Sequence, residues 1–176
     1  MPAGFETRAA GLSECRASAD GMALTGYAAV FDSPAMIGGA WEEVIAPTAF
    51  DKALEAGVDV PLVVDHEPTA LLARTRSGTL KLSKDAHGLR VEARLPDTQL
   101  GRDVAELVRR GDAYGMSFAF LPRKGGETWQ GDRRTLTDVQ LFDVSVVRTA
   151  PAYPATSVAV RKKRLASRRE YELVAL

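Results

Sequence analysis

Three kinds of side chain in this sequence could together transfer an acyl group: a serine hydroxyl, an imidazole and a carboxylate. The hydroxyl with the most telling setting is Ser117, in "AYGMSFAF". In an extended segment side chains alternate between faces. Tyr114, Met116, Phe118 and Phe120 then share one face, while Ala113, Gly115, Ser117 and Ala119 share the other. The bulky face suits a core. The small face either packs closely on a neighbouring layer or leaves Ser117 open, with Gly115 and Ala119 low enough for an extended chain to lie beside the strand. A serine hydroxyl is a poor nucleophile until a base removes its proton, and histidine, which titrates near neutrality, is the usual base.

The chain has two histidines. His87 falls beside Gly88 in a turn, where a solvated ring is the ordinary expectation. His66 ends "PLVVDHEP", at the mouth of an apolar strand and shortly before a proline that stops further pairing. Its plain reading is a half-exposed strand-end ring; its sharper reading is a base reaching into a shared cleft. A catalytic base also needs an acceptor that fixes its tautomer. Asp65 adjoins His66, but a strand persisting through residue 66 would send the two to opposite faces. In "QLFDVSVV" Phe142, Val144 and Val146 share the face suited to a core, while Asp143 shares the other with Leu141, Ser145 and Val147. A carboxylate in such a strand is costly unless paired. Either His66 is its partner, or the strand is an edge with Asp143 in water.

Composition narrows the alternatives. At 176 residues, with 45% hydrophobic and 26% charged residues, the chain fits one soluble domain. Lys plus Arg equals Asp plus Glu, at 23 each, so net charge gives no case for nucleic acid or membrane. One cysteine, Cys15, precludes an intrachain disulfide and suits a reducing compartment such as the cytoplasm. The first twenty residues lack the basic start and apolar run of a secretory signal. With no HExxH motif, no cysteine pair, no GxGxxG and no P-loop, neither a metal nor a nucleotide cofactor is expected.

The elements that must position the three groups are mostly short strands. Residues 1–20 are small and polar and read as a flexible N-terminal arm. Met22 to Phe31 alternate as a strand, "WEEVIAP" adds a short one, and "TAFDKALEAG" reads as a helix with Thr48 as N-cap and Gly57 as its stop. "VPLVVD" and "ALLART" are strand-like, and "TLKLSKDAHGLRVEARL" is a hairpin, with alternation on both sides of its turn. In "TQLGRDVAELVRRG", Leu100, Val104, Leu107 and Val108 fall on one helical face, and Gly111 ends it. The strand of Ser117, a polar hairpin around "PRKGGETWQGDRR" and the strand of Asp143 follow. Six to eight strands with two helices predict a mainly β protein with α (α+β): a closed or nearly closed β-barrel flanked by helices. Residues 161–176 carry six Lys and Arg against two Glu and read as a basic C-terminal tail, either a solvated charge run or a targeting element.

Taken together, "PLVVDHEP", "LRVEARLPDTQLGRDVAELVRRGDAYGMSFAF" and "QLFDVSVVRTAPAYPAT", in that order, resemble the prohead maturation proteases of tailed phages, a serine protease family similar to the herpesvirus assemblins. "TGYAAVFDSP" and "EEVIAPTAF" resemble that family's N-terminal portion, and the likeness spans roughly residues 22–160. It implies an assemblin-like barrel as a protease domain over 21–160, with Ser117 as nucleophile, His66 as base and Asp143 as the acidic third member. It further implies cleavage of scaffold or coat-protein extensions, and of the enzyme itself, inside the immature capsid in the host cytoplasm. The herpesvirus relatives imply a homodimer, and their paired arginines point to Arg148 as an oxyanion contact, at a different offset. Backbone donors for the oxyanion are sought first in "VRTAPAYP". Two other classes remain: a non-catalytic assembly or scaffolding protein with the same barrel, and a nucleic-acid binder driven by the tail, which lacks an exposed aromatic platform for bases.

Overall fold

The computed structural model describes residues 4–11, 15–17, 22–113 and 115–148. Thirteen strands and two helices occur in this span: β1 (Glu6–Gly11), β2 (Cys15–Ala17), β3 (Ala23–Val30), β4 (Ala35–Ile37), β5 (Trp41–Ile45), α1 (Asp51–Glu55), β6 (Pro61–Val64), β7 (Glu67–Arg74), β8 (Leu80–Lys84), β9 (Gly88–Arg94), α2 (Gln99–Arg110), β10 (Gly115–Pro122), β11 (Glu127–Gln130), β12 (Arg133–Leu136) and β13 (Val139–Val147). The fold is therefore mostly β, with few helices. The expected barrel of six to eight strands is replaced, among the described residues, by three sheets. These run β1-β10-β13-β6-β7, β11-β12-β5-β4 and β2-β3-β9-β8. Hairpin neighbours β8–β9, β11–β12 and β6–β7 pair antiparallel within these sheets, and β1–β10, β3–β9, β5–β12 and β6–β13 join strands distant in sequence.

Aromatic packing fixes the first sheet against the rest. Phe118 and Phe120 of β10 stack at 4.9 Å, and Phe118 meets Phe50, just before α1, edge-on at 5.2 Å. Both rings of β10 are fully buried, so the bulky face of the opening sequence segment is a core face, as its alternation requires. Tyr114 lies outside the described residues.

α2 buries Val104, Ala105 and Val108. Thr98 caps it by accepting from the Gly101 N–H at 3.2 Å, and Gly111 ends it at φ 79°, a left-handed conformation that glycine adopts without strain. α1 starts later than its sequence suggests. Thr48 donates its hydroxyl to the Thr137 carbonyl (3.1 Å) instead of capping, and Phe50 holds the N-cap position without a side-chain bond.

Two differences from simple alternation bear on chemistry. Residues 6–11 and 15–17, read as part of a loose arm, are strands, with β1 antiparallel to β10 from Glu6↔Phe120 to Gly11↔Gly115. In the β10–β13 ladder Ala119 faces Asp143 but Phe120 faces Leu141, so Phe142 is an extra residue. This bulge reverses the parity of everything before it. Leu141 joins the core with Val144 and Val146, and Phe142, expected in that core, is only half-buried.

Candidate active site

The site assembles where β6 runs parallel to β13, with Val63 beside Ser145 and Val64 beside Val146. Parallel pairing carries the end of β6 to the same level as Ser145, which itself lies opposite Ser117 on β10. β6 stops at Val64, and β7 resumes at Glu67 paired with it, leaving a two-residue turn of Asp65 and His66. Both have positive φ, 47° and 57°. A tight hairpin turn of this hand requires that, and it favours Asn or Asp followed by Gly. Aspartate and histidine tolerate the region better than most residues, yet such backbone is held only where its surroundings over-determine it.

Here the surroundings come from β13 and its exit. The His66 N–H donates to Ser145 Oγ (2.9 Å), whose hydroxyl donates to the Val63 carbonyl (3.2 Å). The Asp65 N–H donates to the Val146 carbonyl (3.0 Å), and the Asp65 carboxylate accepts from both the backbone N–H and Nε of Arg148, each at 2.8 Å. Held this way, the imidazole of His66 spans two partners. Nε2 lies 2.7 Å from Ser117 Oγ, and Nδ1 lies 2.7 Å from Asp143 Oδ1. Ser117 and Asp143 are 2% and 1% exposed. Asp143 Oδ2 has no hydrogen-bond partner among the described residues.

A hydroxyl, a ring and a carboxylate joined in series at hydrogen-bonding distance are an arrangement able to pass a proton from the hydroxyl to the ring. The chain matches the Caudovirus prohead serine protease family over residues 9–170. It belongs to that family. The fold agrees: the capsid assembly protease of bacteriophage T4 superposes with a TM-score of 0.56, covering 81% of this chain and 96% of that one at 11% identity. No curated protein sequence matches.

Of the residues the sequence singled out in this prohead serine protease, Ser117, His66 and Asp143 are brought together. Gly115 and Ala119 are not an open face. Both are buried, because β1 fills the flank of β10 and Ala119 lies between Thr7 of β1 and Asp143 of β13 in the ladder. Arg148 contacts Asp65, where it clamps the turn. Asp65 is not the partner of His66, although for a different reason from strand alternation: the strand has already ended. "VRTAPAYP" beyond residue 148 and the tail over 161–176 lie outside the described residues. His87 is exposed at the β8–β9 turn, edge-on to the Tyr27 ring at 4.5 Å. No described helix is long and apolar enough to cross a membrane.

Two contributors escaped the sequence. Ser145 looked like an ordinary polar residue of an alternating strand, and Arg8 lay in the segment read as an arm. The Arg8 carbonyl accepts from Ser117 Oγ at 2.7 Å. Its guanidinium is bidentate on Glu43 (Nε to Oε1 2.5 Å, Nη2 to Oε2 2.9 Å) and reaches Glu6 Oε2 at 2.5 Å. Arg134 bonds Glu43, Glu6 and Glu127 from the other side. Burial opposes the charge on Glu6, but hydrogen bonding and attraction from Arg134, then Arg8, outweigh it and hold its carboxyl below the usual range. Burial likewise opposes the charge on Arg8, and the bond and attraction to Glu43 raise it nonetheless.

Proposed function

We propose that this chain is a serine endopeptidase with a Ser-His-Asp triad, in which Ser117 is the nucleophile, His66 the general base and Asp143 its orienting partner. The observation that carries the reading is the pair of 2.7 Å contacts at the two ring nitrogens of His66. In the first step Ser117 Oγ attacks the peptide carbonyl carbon while its proton passes to Nε2. The imidazolium then returns that proton to the leaving amine, giving an acyl-enzyme and a free N-terminus. Water, deprotonated by Nε2, hydrolyses the ester and restores the hydroxyl. Among the described residues Asp143 has the imidazole as its single side-chain partner, so its buried carboxylate stabilises the imidazolium that forms in the transition state.

The substrate class is inferred from the family and from the T4 relative, a capsid assembly protease. It comprises scaffold and coat-protein extensions in the immature capsid, with self-cleavage in addition. The Asp65 contacts favour Arg148 as a clamp on the His66 turn over a direct oxyanion donor.

Co-expression with the coat and scaffold proteins tests the assignment on a gel. Ser117→Ala is expected to abolish processing, since loss of the nucleophile costs about a millionfold. Labelling of the wild type, but not of Ser117→Ala, by a fluorophosphonate checks the nucleophile without any substrate. Unchanged processing by Ser117→Ala would leave the same fold as a non-catalytic assembly protein.

A further inference from the structure

The nucleophile of this enzyme is covered by the enzyme itself. Ser117 is 2% exposed, and the atom on its hydroxyl besides the histidine is the carbonyl oxygen of Arg8. β1 is the edge strand of its sheet, lying antiparallel on β10 with Ala9 opposite Ser117. Without it, β10 would present a free row of N–H and C=O groups running past the hydroxyl, the arrangement that binds extended peptides by strand addition. The β1 strand thus lies where a polypeptide would have to lie for one of its carbonyls to reach Ser117.

The proton count at the hydroxyl argues that this docked state is inactive. Ser117 has one hydroxyl proton and two acceptor atoms at 2.7 Å, His66 Nε2 and the Arg8 oxygen. For attack the proton must go to Nε2 and the Oγ lone pair must face a carbonyl carbon. When the proton is donated to Arg8, the bond to the base is not made in the direction that activates the nucleophile. A carbonyl oxygen that accepts from the nucleophile's own hydroxyl is also not yet held by the separate donors an oxyanion needs.

The side chain of Arg8 shows what the site selects. Glu43, 3% exposed, is held by a forked guanidinium, the geometry that distinguishes arginine from lysine, and the Arg8 guanidinium carbon lies 5.4 Å from the centroid of the Phe120 ring. Taking β1 away removes Arg8 and Glu6 together. Two carboxylates, Glu43 and Glu127, then face the single guanidinium of Arg134. A buried carboxylate short of a cation is a costly state, and an arriving arginine relieves it.

We propose that the β10 edge and the Glu43 carboxylate form the acceptor site for an extended polypeptide segment carrying arginine, and that residues 6–11 are its resident occupant, displaced when a substrate strand binds. The proposal rests on the active-site reading above, since it takes the groove at Ser117 to be the substrate groove. It makes Glu43 a specificity-determining residue for the position whose carbonyl faces Ser117. Tethering gives β1 an effective concentration near millimolar, so a segment in trans competes at a disadvantage until the strand is released.

The test compares the full chain with a chain lacking residues 1–11, and with full-length Arg8→Ala in case the truncation does not fold. The rate of Ser117 labelling by a fluorophosphonate is expected to rise at least about tenfold in the truncated chain and severalfold in Arg8→Ala. A synthetic peptide of residues 5–12 should bind truncated Ser117→Ala at least about tenfold more tightly than full-length Ser117→Ala. Replacing its arginine by alanine, or Glu43 by glutamine in the protein, should weaken that binding at least about tenfold. If β1 is only a structural edge strand, Arg8→Ala will melt lower with an unchanged or reduced labelling rate and the peptide will not bind, which overturns the inference. A peptide that binds as described to a protein that no variant allows to be labelled would instead retain the strand site and defeat the active-site reading.

Discussion

Both histidines of this protein stand at hairpin turns, and they could hardly have less in common. His87 sits between β8 and β9 in a turn where Asp85 Oδ1 accepts from the backbone N–H of His87 (2.8 Å) and Gly88 (3.2 Å), while from outside the turn the Phe31 N–H donates to the His87 carbonyl (2.9 Å) and the Tyr27 hydroxyl to Asp85 (2.6 Å). Gly88 is needed there because a Cβ would meet the Ala29 carbonyl oxygen at 2.0 Å. The ring is left in solvent against Tyr27. His66 sits in a turn whose local chemistry is poor, with two non-glycine residues at positive φ, and its stability is supplied from outside by Ser145, Val146 and Arg148. The β8–β9 turn, closed largely by Asp85 and Gly88, holds its histidine at the surface. A turn that depends on a third strand is fixed relative to that strand, and so its histidine can be aimed at residues distant in sequence.

Substitutions break this comparison in graded steps. His66→Ala should lower hydrolysis about a millionfold, whereas His87→Ala should leave kcat/KM unchanged, both measured on a processed capsid substrate. Asp143→Ala should cost about ten-thousandfold, and Asp65→Ala far less; equal collapse of both would refute the assignment of the carboxylate. Ser145→Ala strips the His66 N–H of its buried acceptor, a loss of about 1–3 kcal/mol. We expect kcat to fall about tenfold to a hundredfold with KM little changed, and Ser145→Thr to recover part of it, a split that general destabilisation would not produce. Arg148→Ala, which removes a half-exposed ion pair worth about 1 kcal/mol or less, should slow turnover only severalfold.

The smallest effect lies at the other turn and is read through pH. The Asp85 carboxyl lies below its ordinary value, first because the Tyr27 hydroxyl donates to it (2.6 Å), then because the His87 N–H does. A lowered carboxyl supports the fold above its unfolded value near 3.8 and loses that support as pH falls through the lower folded one. Amide exchange at residues 86–88 should therefore quicken only in acid below that value, while the His66 amide, bonded to a serine hydroxyl, should show no such step.

Much of the site could be read in the chain because each member carries a local signature. The alternation of residues 115–120 survives in β10, so Ser117 does lie on the small face. The hairpin over residues 80–94 and the helix over 99–110 likewise follow from period and capping, which neighbours in sequence settle among themselves. The reading failed where a partner strand intervened. The bulge at Phe142 moved Leu141 into the core, and no pattern within "QLFDVSVV" signals it, since it arises from how β13 fits β10. Residues 6–11 look like a polar arm because their arginine and glutamate are solvated in any isolated segment. They become a strand only when Glu43 and Arg134, more than thirty and a hundred positions away, supply opposite charges in a buried place.

By itself the sequence determined the cast: one serine on a small-residue strand, one histidine at a strand mouth, one aspartate in an apolar run, and the strands and helices short enough to carry them. Only the tertiary structure decided that β6 runs parallel beside β13, that a two-residue turn closes over Ser145, and that β1 lies across the hydroxyl. The physical reason is one of range. Side-chain period, capping and turn preference act over a few residues of chain, whereas register between strands and the pairing of buried charges are set by groups that meet only after the chain has folded.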